Sequence, residues 1–238
     1  MLKLVQDIKE LSFLPAEPFP AVITALANTY GADYDFVKFY IQEDKAALSI
    51  LDGNINIYAG EDADIDEIRL FLEMMGYVSV RADEEIIKKI GLDASDSSYT
   101  VRYKGEEVPE PLNFIDDYDF RHVYNLLVSS GFELSDYSAF LTDICSRINN
   151  NSASFGGIGN ERLESCCFRL FDGDKSVLLG AVATDEKSRG KGLASSLVPY
   201  MAKGEKPAFL FTRNDGLLEF YKNCGFEKYG RWAITYSE

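Results

Sequence analysis

The sequence predicts an α/β fold in which a mainly antiparallel sheet is flanked by a few helices. Apolar residues make up 46% of the 238 residues, and β-rich segments alternate with amphipathic ones between turn-rich stretches. A chain of this length can bury a core as one large domain or two small ones. The polar, turn-rich segment 93–111 favours two, so we place a boundary near Pro109, between residues 1–108 and 109–238.

The second segment reads as alternating helices and strands. Amphipathic spacing predicts its helices, over residues 120–130, 135–149, 192–203 and 215–224. Runs of apolar and β-branched residues predict its strands, at residues 152–156, 164–171, 176–184, 208–212, 226–229 and 232–236. Pro199 removes one backbone donor, which predicts a bend or an early end of the third helix. Aromatic residues near the first helices are core candidates that also suit an acceptor pocket: Tyr118, Phe120, Tyr124 and Tyr137.

The first segment contains a short echo of the second. Residues 71–77 (Phe-Leu-Glu-Met-Met-Gly-Tyr) match residues 220–226 (Phe-Tyr-Lys-Asn-Cys-Gly-Phe) as a helix end, a glycine stop and an aromatic strand start. A glycine after a helix is also a generic cap. If the echo reflects duplication, the first segment is a smaller, degenerate α/β copy with Leu72 where the second has Tyr221.

Charge and hydropathy exclude several classes of function. The net charge is −15 and is concentrated in residues 1–110, which hold 22 acidic and 10 basic residues. Nucleic acid is a poor partner for such a surface, whereas a cationic amine is compatible with it. The sequence contains no apolar run long enough for a membrane span and does not begin like a secretion signal, so we expect a cytoplasmic protein.

The cysteines do not suggest a metal site or a disulfide scaffold. Cys145, Cys166, Cys167 and Cys224 show no C-x-x-C spacing, and His122 is the only histidine. Cys166 and Cys167 are neighbours on a predicted strand, so they should point to opposite faces as core thiols.

A phosphate-binding turn is the strongest chemical signal. A strand of small residues ending near Thr184 leads into Arg189-Gly-Lys-Gly-Leu-Ala194, which opens a helix. Free backbone N–H groups at a helix start bind anions, and glycines let the backbone approach them closely. An exposed basic turn without a ligand is the alternative.

This turn, together with Asn214, Phe220-Tyr221 and Cys224-Gly225-Phe226 downstream, resembles the GCN5-related N-acetyltransferase (GNAT) superfamily and, within it, the FR47-like branch. The resemblance covers roughly residues 111–238, and if the internal echo reflects duplication, the first segment is a degenerate GNAT-like copy. It implies acetyl-coenzyme A as acetyl donor, with the pantetheine arm along the strand, the pyrophosphate on the turn and an asparagine holding cofactor amides. The implied cofactor-binding residues are Val182, Ala183, Thr184, Arg189, Gly190, Lys191, Gly192, Leu193, Ala194 and Asn214.

The resemblance also suggests two catalytic residues. Tyr221 would donate a proton or a hydrogen bond to the departing thiolate, although its helix face also suits a core aromatic residue. Glu164 is the best-placed acid for a general base, but a strand glutamate commonly faces solvent. Asn214 is equally suited to cap the helix that follows it.

We therefore expect an N-acetyltransferase in which a small primary amine attacks acetyl-coenzyme A directly in a ternary complex. The alternatives are an acyl-coenzyme A sensor without turnover and an interaction scaffold that has lost cofactor binding.

Overall fold

The computed structural model describes residues 1–106, 108–117 and 119–237. Tyr118 lies outside them. Twelve strands occur in the described residues: β1 (Lys3–Leu4), β2 (Val37–Gln42), β3 (Ala46–Leu51), β4 (Asn54–Ala59), β5 (Ser79–Asp83), β6 (Asp96–Tyr103), β7 (Phe114–Ile115), β8 (Ser154–Gly159), β9 (Leu163–Asp172), β10 (Val177–Thr184), β11 (Ala208–Phe211) and β12 (Phe226–Tyr236).

Seven α-helices accompany these strands within the same residues: α1 (Pro18–Tyr30), α2 (Ile65–Met75), α3 (Glu84–Ile90), α4 (Phe120–Ser129), α5 (Tyr137–Asn149), α6 (Leu193–Ala202) and α7 (Asp215–Asn223). Short 3₁₀ segments lie at Ile8–Phe13 and Glu186–Ser188. None of the described helices is long and apolar enough to cross a membrane.

All twelve strands form one sheet, in the order β1-β2-β3-β4-β5-β12-β6-β11-β10-β9-β8-β7. Only the pairs β4–β5 and β10–β11 are parallel, and the other neighbouring strands are antiparallel. The predicted α/β fold with a mainly antiparallel sheet is confirmed.

The element order of the first half recurs in the second. Each half has a short strand, a helical segment, three strands, a helix, a strand, a helix and a last strand. The last strands are exchanged, because β12 lies between β5 and β6 while β6 lies between β12 and β11. Main-chain hydrogen bonds therefore join the two halves at the middle of the sheet.

This topology changes the internal alignment expected from the sequence. Helix α2, which carries Leu72, lies between the parallel strands β4 and β5 and so corresponds to α6, whereas α7 corresponds to α3. Both α3 and α7 are followed by a glycine with positive φ, Gly91 at 88° and Gly225 at 86°. Aligning these glycines puts Ile87, not Leu72, at the position of Tyr221.

Helices cover both faces of the sheet. In the second half, α6 and α7 share one core with Cys167, whereas α4 and α5 share another with Cys166. The two thiols are fully buried on opposite faces, as predicted. In the first half, α1 packs in a core that includes Leu178 and Phe209 from the second half, and α2 and α3 pack in a separate core.

The predicted helices and strands of the second half are present, with three differences. The two closing strands are a single strand, β12, whose register shifts between Lys228 and Gly230, because a one-residue bulge lets a strand bend without ending. Pro199 does not end α6, which continues to Ala202. The strand predicted at 152–156 lies at Ser154–Gly159, inside the sheet, where a Cβ on Gly156 would meet the sulfur of Met201 on α6.

Candidate active site

The site begins where β10 and β11 part. The two strands pair only over three residues, from Val177 opposite Ala208 to Leu179 opposite Leu210. Strand β10 continues to Thr184 on the other side, paired with β9. Backbone groups of residues 180–184 that point away from β9 are thus left for a ligand instead of a neighbouring strand.

A bulge at Ala181 shapes this segment. Between the pairs Gly180–Phe168 and Ala183–Cys166, β10 contains one more residue than β9. Ala181 has φ of 50°, which is rare for a residue other than glycine. Such bulges redirect a strand next to functional sites, and here the bulge turns β10 away from β11.

The loop from Asp185 to Gly192 joins β10 to α6 and presents open amide groups; we call it the basic loop. The N–H groups of residues 190–195 have no acceptor within the described residues. Gly192 caps α6 with φ of 78° and offers no side-chain cap. Gly190 has φ of 76°, and a Cβ there would meet nothing within 4 Å. Open amides at a helix start, without a side chain to fill them, form an anion site.

Glu164 supports this loop from behind. The buried hydroxyl of Ser188 donates to Glu164 Oε1 at 2.6 Å, and Lys191 Nζ and Arg162 Nη2 lie 3.6 and 3.9 Å from the same oxygen. The Ser188 hydrogen bond and the two cations lower the pKa of Glu164 below its ordinary value. The side chain is thus paired outside the cleft, and its position gives no support to a role as general base.

Tyr221 forms part of the opposite wall. It is 6% exposed, on α7, with the Phe220 and Phe226 rings 5.1 and 5.8 Å away. Its hydroxyl makes no hydrogen bond within the described residues. Burial raises the pKa of Tyr221 well above its ordinary value, so the hydroxyl is protonated at neutral pH and is a donor. The ring belongs to the core and the residue also lines the cleft, and the catalytic role of Tyr221 stays a prediction.

Arg213 and Asn214, which are adjacent in sequence just before α7, have different positions relative to the cleft. Asn214 caps the helix, since its Oδ1 accepts from the Leu217 N–H at 3.1 Å, and it does not line the cleft. Arg213 does line it. The Arg213 guanidinium donates to the Gly131 carbonyl at 3.3 Å and stacks on Phe132 at 4.2 Å.

Together these elements enclose a cleft of about 700 Å³. Eight of the ten predicted cofactor residues and Tyr221 line it; Lys191, Asn214 and Glu164 do not. Sequence reasoning missed several lining residues on the α4–α5 connection, β11 and α7: Ser130, Phe132, Leu210, Phe211, Arg213, Leu217 and Phe220. Only the apolar spacing of α7 pointed toward any of them, and no group of three or more metal-ligand side chains occurs within the described chain.

The corresponding region of the first half shares the parting of two parallel strands, because β4 and β5 also pair over only three residues, but it lacks the bulge, the open basic loop and the tyrosine. Strands β3 and β4 pair without a register shift. The loop before α2 contains Glu61, Asp62 and Asp64, and the Asp64 side chain accepts from the Glu67 N–H and so caps the helix. A capped helix start with three acids repels an anion. Ile87 stands at the position of Tyr221, so the described residues of the first half do not form a cleft with these groups.

Solved structures with a similar fold include acetyltransferases of the GNAT family. A GCN5-related N-acetyltransferase from Sphaerobacter thermophilus aligns with a TM-score of 0.58 at 14% identity, over 98% of this chain and 94% of that one. A tandem GNAT protein from the clavulanic acid biosynthesis pathway aligns at 0.56 and 12%, over 98% and 97%. A Drosophila protein aligns at 0.64 and 13%, over 99% and 98%.

The structural likeness extends over nearly the whole chain, beyond the residues 111–238 that carry the sequence resemblance. No protein-family model matches the sequence, and no curated protein matches it. The GNAT fold is therefore established by structure, and the FR47-like branch stays a prediction.

Proposed function

We propose that this protein is an acetyl-coenzyme A dependent N-acetyltransferase that acts on a primary amine by direct attack in a ternary complex. The observation that carries the proposal is the joint geometry of the bulged strand β10, the open amides of the basic loop and Tyr221 around one cleft. The fold shared with GNAT acetyltransferases supports it.

The residues present fit the donor. The amides of Gly190, Gly192 and Ala194 suit the pyrophosphate oxygens, and Arg189, which donates to the Thr184 carbonyl at 3.3 Å, adds positive charge beside them. The free backbone of Val182 suits the amide groups of a pantetheine arm. Acetyl-coenzyme A supplies an acetyl group activated as a thioester, which an unprotonated amine can attack.

Tyr221 is proposed to act on the sulfur. As the amine nitrogen bonds to the acetyl carbon and the C–S bond breaks, the Tyr221 hydroxyl donates a hydrogen bond to the sulfur that leaves with the electron pair. Because its raised pKa makes the phenol a weak acid, this stabilises the thiolate more than it transfers a proton. The amine proton passes to solvent through the open cleft.

We further propose that residues 1–108 and 109–238 are two copies of one GNAT-like unit, of which only the second binds the cofactor. Their common element order and the acidic loop of the first half support this division of roles.

Two matched pairs of variants test the function. Gly192→Asp places a carboxylate at the pyrophosphate and should weaken coenzyme A binding in calorimetry about tenfold or more. Gly76→Asp is its control, because Gly76 also has positive φ and open space but lies at the end of α2. Equal affinity in the two variants would contradict the pyrophosphate assignment.

Tyr221→Phe should lower kcat for thiol release roughly 100-fold while donor KM changes little, whereas Tyr236→Phe on an exposed strand end should change neither. Binding of acetyl-coenzyme A without turnover on any amine would instead favour a sensor.

A further inference from the structure

A cavity of about 530 Å³ adjoins the cleft behind the bulge and shares Gly180, Phe211 and Arg213 with it. The first half supplies one wall, from the ends of β4 and β5: Asn54, Ile55, Asn56, Ser79 and Arg81. Because this space borders the bulge at Gly180, it is a candidate place for the acceptor amine. We call it the acceptor cavity.

The charge of the acceptor cavity is opposite to that of the protein. Its lining includes Arg81, Arg147 and Arg213 and contains no aspartate or glutamate, although the chain has 39 acidic against 24 basic residues. Arg81 and Arg213 have no carboxylate partner among the described residues. The local field therefore attracts an anion.

Arg147 has the most informative environment. It is 6% exposed, with its guanidinium 4.5 Å from the Phe171 ring. Its Nε and Nη2 each lie 3.0 Å from the Asp143 carboxylate, which also accepts a hydrogen bond from Tyr30. The remaining nitrogen, Nη1, is buried without a partner. A buried charged donor left unpaired is costly, and a ligand acceptor would relieve that cost.

We propose that Arg147, together with Arg81 and Arg213, binds a carboxylate of the acceptor, so that the substrate is an amino acid or another amino carboxylate. Asp143 fixes the Arg147 guanidinium from one side, and Nη1, which lacks an acceptor, suits an oxygen of a planar carboxylate. The nearby Trp232 and Phe211 rings, 5.5 Å apart, add an apolar wall for the rest of the substrate. The inference rests on the proposed function. It changes the expected acceptor from a purely cationic amine to an amine that also carries a carboxylate.

The test compares substrates that differ only in that group. For each amino acid, acetylation is measured against its carboxamide and its decarboxylated amine. We expect kcat/KM to favour the carboxylate roughly tenfold or more. Arg81→Gln, at an exposed position, and Arg147→Lys should reduce that preference mainly through KM. Arg69→Gln, which removes a charge on the outer side of α2, should leave it unchanged.

A binding measurement tests the carboxylate site independently of acetyltransferase activity. N-acetylated amino acids and their carboxamides are titrated into the protein by calorimetry, and the acid should bind more tightly in wild type but not in the Arg81 or Arg147 variants. Equal binding of acid and amide in wild type would overturn the carboxylate site even if amines are acetylated. Preferential binding of the acid without any turnover would support the site and count against the transferase.

Discussion

Asp83, which lies where the strands of the two halves pair, is expected to make the unfolding free energy of this protein depend on pH. It ends β5 opposite Trp232 of β12, and its carboxylate makes no helix-cap hydrogen bond at the start of α3. Burial, together with the charges of Glu17 and Glu85, raises the pKa of Asp83 from 3.8 to about 6. The ionised carboxylate is therefore less favourable in the folded state than in the unfolded chain.

The sign and size of the effect follow from linkage. A raised folded-state pKa contributes stability at low pH that is lost as the pH rises through about 6. The full difference corresponds to about 3 kcal/mol. Asp83→Asn removes the titration, so its gain in unfolding free energy over wild type should be about 3 kcal/mol at pH 7.5 and roughly half of that at pH 5.

Urea unfolding of both proteins at the two pH values measures this difference. The same change in net charge at the exposed Asp62, Asp62→Asn, is the control and should give a difference that does not grow with pH. If Asp83→Asn is less stable than wild type at pH 7.5, or if its advantage is the same at both pH values, the assigned environment of Asp83 is wrong.

Three further outcomes are expected. Glu164→Gln should keep kcat within about threefold, because the carboxylate lies behind the basic loop, and a loss near 100-fold would restore it as general base. Burial raises the pKa of Cys166 to about 12, so a thiol reagent should label the half-exposed Cys145 in the folded protein and Cys166 only after unfolding. Gly156→Ala should destabilise the protein by about 1–3 kcal/mol in urea unfolding, because the added methyl group has to displace Met201.

The second half was predictable because its signals are local. Helix and strand periods, and the contiguous motif Arg189–Ala194, need no knowledge of distant contacts. The role of Glu164 as general base stays a prediction: its strand position was visible in the sequence, but its hydrogen bond from Ser188, 24 residues away, was not.

Other features depend on contacts between segments far apart in sequence. The exchange of β6 and β12 cannot be read from the local sequence. Each strand would have the same residue pattern if it paired with strands of its own half. The acceptor cavity combines Arg81 from β5 with Arg147 from α5 and Arg213 before α7. The sequence around each arginine gives no indication of the other two. The acidic composition of the sequence favoured a negatively charged substrate site instead.

On the proposed duplication, the first half differs from the second half where a cofactor site would be and not where the two halves pair. Its helix start at Asp64 is capped and acidic, and Ile87 stands in place of the tyrosine, yet β5 and β6 still pair with β12 along the middle of the sheet. Strand β6 also covers the edge that β11 would otherwise expose. The same half supplies the β4 and β5 wall of the acceptor cavity. On that proposal, the first half keeps two roles, which are closing the sheet and shaping the space where the second half would acetylate its substrate.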